Sequence, residues 1–233
     1  MKFAIIAAGE GSRLASEGVK SPKPLIELQG VPIIERLVEL FARHNATSIS
    51  IIINEQQPAT LALLKKLQEK FPINIAVKDT PSSMHSMHEL EPWLQGDEKF
   101  CLTTVDTLFH EKEFTAFLAE LEKDEGDGMM GVTSFVDDEK PLYIAADSNM
   151  QITAFCDTKE SGTEYISGGI YGLSPKALCT LQRCMEQGVS RMRNFQRALI
   201  ADGLHLRAYP FKKIIDIDHA DDIVKAEQFL LKE

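Results

Sequence analysis

Residues 3–8, Phe-Ala-Ile-Ile-Ala-Ala, form an unbroken apolar run that stops against Gly9-Glu10-Gly11-Ser12-Arg13. A strand with one face in water alternates apolar and polar residues, and a strand covered on both faces does not. The run therefore predicts a central strand of a parallel sheet with helices on either side. Ser48–Ile53 (SISIII) and Phe100–Val105 (FCLTTV) read as strands of the same kind. Helical spacing lies between them. Pro32–Asn45 puts Ile33, Leu37, Leu40 and Phe41 on one face, and Pro58–Phe71 does so with Leu61, Leu64, Leu67 and Phe71. Glu111–Lys123 does the same with Phe114, Phe117, Leu118 and Leu121. Ser174 and Pro175 open a further helix as N-cap and N1, with Gly188 as its stop, and Ala220–Leu231 is a last amphipathic helix. The β-α-β-α-β order predicts an α/β fold, a three-layer, doubly wound, mostly parallel sheet. Gly128–Tyr171 is rich in strand-like pieces and reads as a small β extension, a hairpin at the sheet edge. Nothing along the chain resembles a repeat or a linker, so one domain over residues 1–233 is expected.

Composition narrows the function classes. With 44% hydrophobic and 26% charged residues the chain is an ordinary globular one, not a disordered, collagenous or coiled-coil sequence. Its net charge of −10 argues against nucleic acid or an anionic membrane as a partner, while leaving room for a small phosphate ligand at a local cationic site. Residues 89–127 hold twelve acidic and three basic residues, so nearly all of the excess lies in one segment. The four cysteines form no C-x-x-C pair, which suggests core thiols in a reducing compartment. The N-terminal apolar run is too short for a signal peptide and no stretch is long enough to span a membrane. The expected setting is the cytoplasm.

The connection from Gly9 to Lys23 has no helical or strand pattern, and a loop of that length inside a domain is usually functional. It follows a central strand, where open α/β sheets bind ligands. Its glycines let backbone N–H groups approach phosphate oxygens; Arg13 supplies a fork of donors and Lys23, between Pro22 and Pro24, a compact charge. The dinucleotide fingerprint fails because Leu14 stands at the third glycine, and no P-loop string is present. The strings AAGEGSRL (7–14), SPKPL (21–25) and IELQGVPIIERL (26–37) instead resemble the signature of nucleotidyltransferases, or pyrophosphorylases, that join a nucleoside triphosphate to a sugar-1-phosphate.

That resemblance implies a Rossmann-like fold of the nucleotide-diphospho-sugar transferase type and assigns the site. Ala8, Gly9, Gly11 and Ser12 would cradle the nucleotide, with Arg13 on the departing pyrophosphate and Lys23 on the α-phosphate. Asp106, at the end of Phe100–Val105, and Asp216, in the string IIDIDHADDI (214–223), match the family's metal carboxylates and imply Mg²⁺. Asp218 and Asp221 read instead as caps of the last helix. Thr80–Met87 corresponds to the base-reading segment, with Ser83 and Ser86 facing the nucleotide; its serine-rich form resembles the cytidylyltransferase branches. On the acceptor side FCDTK (155–159) and SGGIY (167–171) match more loosely, which implicates Lys159 and Gly169, and Arg193 is the basic residue of 191–213 best suited to an acceptor phosphate. Gly168-Gly169 reads equally as a strand bulge. His85 and His88 lack a third ligand at useful spacing and read as a helix start. The partners implied are a nucleoside triphosphate and a phosphorylated small molecule, most naturally a sugar-1-phosphate, with a homo-oligomer possible. A non-sugar phosphate such as phosphocholine, a glycosyltransferase built on the D-x-D at 216–218, and a non-catalytic nucleotide-binding homologue are the alternatives.

Overall fold

Successive residues of the first strand serve opposite layers. Phe3, Ile5 and Ala7 join one buried cluster, and Ala4, Ile6 and Ala8 join another across the sheet. The structure, a computed structural model, describes residues 1–135 and 140–231. The strands are β1 Lys2–Ala7, β2 Glu27–Leu28, β3 Val31–Pro32, β4 Ser48–Ile53, β5 Ile73–Val77, β6 Phe100–Thr104, β7 Thr107–Leu108, β8 Gly128–Thr133, β9 Tyr143–Ala146, β10 Ile152–Cys156, β11 Tyr165–Leu173, β12 Leu206–Phe211 and β13 Ile215–Asp216. The helices are α1 Ser12–Ser16, α2 Ile33–Arg43, α3 Pro58–Gln68, α4 Ser83–Leu94, α5 Glu111–Lys123, α6 Lys176–Glu186, α7 Met192–Ala201 and α8 Ala220–Leu230. Helices α2, α3, α5 and α8 cover one face of the sheet through Phe41, Leu64, Phe114 and Ala226, and α4, α6 and α7 cover the other through Leu90, Leu181 and Phe195. This is the three-layer, doubly wound arrangement expected from the apolar runs. Among the described residues no helix is long and apolar enough to cross a membrane.

Among the described residues nine strands form the main sheet, in the order β10-β9-β11-β6-β1-β4-β5, with β8 beside β11 and β12 beside β8. From β1 the chain runs outward through the parallel strands β4 and β5, then returns to lay β6 on the other side of β1. Strand order therefore reverses between β1 and β6, and Ile6 pairs with Thr104 at their carboxyl ends. Loops leaving two adjacent strand ends in opposite directions open a crevice there.

Phe114 of α5 is fully buried and packs against Phe41 (ring centroids 5.7 Å), Phe109 (4.8 Å) and Phe117 (6.1 Å). Phe114→Ala removes the hub of this cluster and is expected to cost about 3–5 kcal/mol in urea unfolding. A loss under about 1 kcal/mol would mean that the cluster collapses around the gap.

Three sequence expectations change. The stretch Gly128–Tyr171 is not confined to an edge hairpin: β11 pairs antiparallel with β6 and β8 inside the main sheet, and only β9 and β10 form the outer hairpin. Residues 136–139 of that stretch lie outside the described residues. The loop Gly9–Lys23 contains α1, a single turn too short to show an amphipathic pattern. The last helix is capped by His219 with Asp222 in a capping box, rather than by Asp218 or Asp221.

Candidate active site

The glycine loop leaves the end of β1 and turns sharply. Gly11 takes φ +63° as N-cap of α1, a left-handed conformation that a side chain resists, and its carbonyl accepts from Ala15 N–H at 3.0 Å. Two buried amides hold the loop from below. Asn54 Nδ2 donates to the carbonyls of Ala8 (3.3 Å) and Gly9 (3.4 Å), and Gln57 Nε2 to those of Ala7 and Gly9 (3.4 Å each). These bonds tie down the carbonyls at the start of the loop and hold it against the end of β1. Neither amide stands in a motif, so no sequence signal marked them.

The carboxylates arrive from far along the chain. Asp106 follows β6 at the crevice. Asp216 is brought alongside by the two-stranded ribbon of β7 and β13, in which it pairs with Thr107, and by the bond from Ile217 N–H to the Asp106 carbonyl (3.1 Å). Thr107 Oγ1 donates to Asp216 Oδ1 at 3.0 Å and lies 2.6 Å from Thr104 Oγ1. Lys23 Nζ contacts Asp106 Oδ2 and Asp218 Oδ1, both at 2.7 Å. Arg13 Nη1 reaches Asp218 Oδ2 at 3.0 Å. Burial alone would lower the Lys23 pKa, but Asp106 and Asp218 outweigh it and raise it above the ordinary lysine range. Burial would likewise raise the Asp218 carboxyl, yet Lys23 and Arg13 hold it below the usual carboxylate value. Asp218, read from sequence as a helix cap, thus sits between the two cations of the glycine loop.

Two clefts meet at this network. One, of about 520 Å³, is lined by Ala8–Ser12, Lys23, Thr80–Ser83 and Ser86. The other, of about 300 Å³, is lined by Gly169, Tyr171, Arg191, Arg193, Gln196, Asp216 and Asp218, with Lys140 and Ser167 beside them. Ser83, Thr104 and Asp106 belong to both. The structure therefore brings together Ala8, Gly9, Gly11, Ser12, Lys23, Ser83, Ser86 and Asp106 in one cleft, and Gly169, Arg193 and Asp216 in the next. Arg13 reaches the junction through Asp218. Ser86 is buried, with its hydroxyl 2.6 Å from Thr80 Oγ1, so it braces the segment more than it faces the cleft.

Lys159 is exposed and lines neither cleft, because the turn after β10 carries it away. Arg193 is held by Asp157 (2.6 Å) and the Lys140 carbonyl (2.9 Å). Gly168 and Gly169 form the strand bulge, where the register of β11 against β8 shifts between Ser167 and Ile170, and Gly169 also lines the second cleft. His85 bonds Ser82 Oγ (2.9 Å) and His88 pairs with Glu91 (3.0 Å), as a helix start would have them. The sequence reading missed Thr107, Gln196 and Tyr171. Gln196 is 2% exposed, accepts from Ser167 Oγ at 3.1 Å and lines the second cleft. Burial pushes the Tyr171 hydroxyl up to about 12, so it stays protonated.

The nucleotidyl transferase family model matches residues 2–233 of this chain. The chain belongs to the nucleotidyl transferase family. A mannose-1-phosphate guanyltransferase of Aspergillus fumigatus is 28% identical over 186 residues, which cover 76% of this chain and 50% of the relative. The chain thus spans about half the length of the curated relatives it matches. Two solved structures share the fold at 18% identity. They are a glucose-1-phosphate thymidylyltransferase described as putative, from Bacillus anthracis (TM-score 0.83, covering 98% of this chain and 94% of that one), and an inositol-1-phosphate CTP transferase from T. maritima (TM-score 0.80, covering 99% and 95%).

The donor set suits a hard cation. Among the described residues no three His, Cys, Asp or Glu side chains make a ready cage. Mg²⁺ does not require one, since it commonly takes one or two carboxylates and completes its shell with phosphates and water. Asp106, on the shared wall of the two clefts, and Asp216, in the second, are all-oxygen donors that fit that pattern.

Proposed function

We propose that this chain, as one nucleotidyltransferase domain over residues 1–233, transfers a nucleoside monophosphate from a nucleoside triphosphate to a phosphorylated acceptor, a sugar-1-phosphate, and releases pyrophosphate. The observation that carries the reading is the junction itself. A glycine loop with Lys23 lines one cleft, a second cleft opens beside it, and Asp106 belongs to both.

In the proposed reaction an acceptor phosphate oxygen bonds to the α-phosphorus while the bond to the β-phosphate oxygen breaks and pyrophosphate departs in line. The attacking oxygen is already anionic, so no protein nucleophile or general base is required. Catalysis rests on positioning and on charge stabilisation. Gly9, Gly11 and Ser12 cradle the triphosphate through the backbone, Arg13 holds the departing pyrophosphate and Lys23 the α-phosphate. Ser83 borders the nucleotide, and Gly169 and Arg193 border the acceptor. Asp106 and Asp216 would hold Mg²⁺, which supplies Lewis-acid neutralisation of the phosphates when bound.

The second cleft offers a phosphate three cations and offers a quaternary ammonium no exposed aromatic face. Its described lining sets Lys140, Arg191 and Arg193 beside Asp106, Asp216 and Asp218, and its one aromatic residue, Tyr171, is buried. An ammonium headgroup such as choline calls for exposed aromatic faces. The D-x-D reading of a glycosyltransferase is disfavoured by the glycine loop, whose Arg13 and Lys23 stand against these carboxylates.

The test is a matrix of the four triphosphates against phosphorylated acceptors, with pyrophosphate release as the readout. Turnover is expected with at least one sugar-1-phosphate. Release with phosphocholine alone would overturn the acceptor assignment, and no release with any pair would overturn the transferase.

A further inference from the structure

Helix α7 buries Met192, Phe195 and Leu199, and on the same face it buries an amide, Gln196. Gln196 is 2% exposed, and what it does expose lines the second cleft. The two ends of the amide fare differently. Oε1 accepts from Ser167 Oγ at 3.1 Å, and Ser167 also bonds the buried Tyr171 hydroxyl. These bonds fix the carbonyl end toward β11 and turn Nε2 away from it. Nε2 donates to no group among the described residues. Buried donors are normally paired, and one left unpaired costs free energy.

The charges of the cleft leave this donor to an uncharged oxygen. Arg191 lines the same cleft, and its guanidinium makes no ion pair among the described residues. An anionic group therefore has a full cation to meet, whereas Gln196 offers a neutral N–H. The reacting phosphate of an acceptor must also lie by Asp106, where the two clefts meet, so the body of the acceptor fills the rest of the second cleft.

We propose that Gln196 is a specificity-determining residue, whose Nε2–H donates to one hydroxyl oxygen of the acceptor's sugar ring. The proposal rests on the nucleotidyltransferase reading of the cleft and adds the group that tells one acceptor from another. A site built to bond a hydroxyl rejects the analogue lacking it more strongly than an apolar pocket rejects a small change in size, because the buried donor is left unpaired.

The probes are the sugar-1-phosphate that wild type turns over best in the substrate matrix and the analogues that each lack one ring hydroxyl. Pyrophosphate release gives kcat and KM for wild type, Gln196→Met and Gln196→Glu, with thermal unfolding to confirm that each variant is folded. Loss of one particular hydroxyl should lower wild-type kcat/KM about tenfold or more. Both variants should lose about as much on the parent sugar phosphate, through a higher acceptor KM, while the triphosphate KM stays unchanged. They should also treat the parent and that one analogue alike, which a merely structural role for Gln196 would not produce. Indifference of wild type to every missing hydroxyl would overturn the proposal without any variant. So would folded variants that keep the wild-type discrimination. Failure of the transferase reading shows separately, as absent pyrophosphate release by wild type with every pair.

Discussion

Lys23→Ala is expected to lower turnover at least a thousandfold, or about 4 kcal/mol of transition-state stabilisation. The Lys23 side chain is 11% exposed, and its ammonium is pinned between Asp106 and Asp218 beside the first cleft. In the proposed reaction charge grows on the α-phosphate there, and a preorganised cation in a partly dry site is worth far more than one in water. The substitution also leaves two carboxylates facing each other with only Arg13 on Asp218. Breaking a buried pair costs about 3–5 kcal/mol, and the partial exposure of both aspartates reduces this to about 1–3 kcal/mol. The measurement is pyrophosphate release under saturating substrates, paired with urea unfolding. Turnover within tenfold of wild type would remove Lys23 from the mechanism.

Gly169→Ala is expected to damage both fold and activity through one contact. Gly169 has φ +72°, and an added Cβ would overlap Thr107 Oγ1 and come within 3.0 Å of Thr104 Oγ1. Backbone strain and overpacking together should cost about 2–4 kcal/mol. Thr107 is a residue that bonds Asp216, so its displacement carries to a carboxylate proposed to hold Mg²⁺. Turnover should fall more than tenfold in the protein that remains folded. Gly203→Ala is the control: it has φ +82° but nothing within 4 Å of an added Cβ. It should cost about 1 kcal/mol and leave turnover unchanged. Equal effects at the two positions would mean that the Thr104–Thr107 contact is unimportant.

The two routes by which the fold could be read from sequence behaved differently. Elements with an uninterrupted pattern announced themselves: strand β4 runs over Ser48–Ile53 as expected and helix α5 over Glu111–Lys123. Elements whose pattern is interrupted did not. Helix α4 buries Met84, Met87, Leu90 and Leu94 but contains Pro92, and β12 contains Pro210, a residue that usually argues against a strand. Helix α7 hides behind three arginines, and its buried face, Met192, Phe195 and Leu199, shows only once they are discounted. The glycine loop and the strand-end Asp106 were legible because local chemistry marks them. Thr107, Asn54 and Gln57 were not, since their roles exist only through partners tens of residues away. Asp218 was misread because its local context, just ahead of a helix, resembles a cap, while its partners lie about two hundred residues upstream.

Those same separations bear on how the protein acquires activity. The bonds that assemble the junction span 83 residues from Lys23 to Asp106, 109 from Thr107 to Asp216 and 195 from Lys23 to Asp218. Contacts so distant in sequence are repaid only after the chain between them has been ordered. The β7–β13 ribbon is only two residues per strand, too short to hold by itself. The acidic half of the site should therefore close late in refolding, and recovery of activity after denaturant dilution should trail recovery of helical signal.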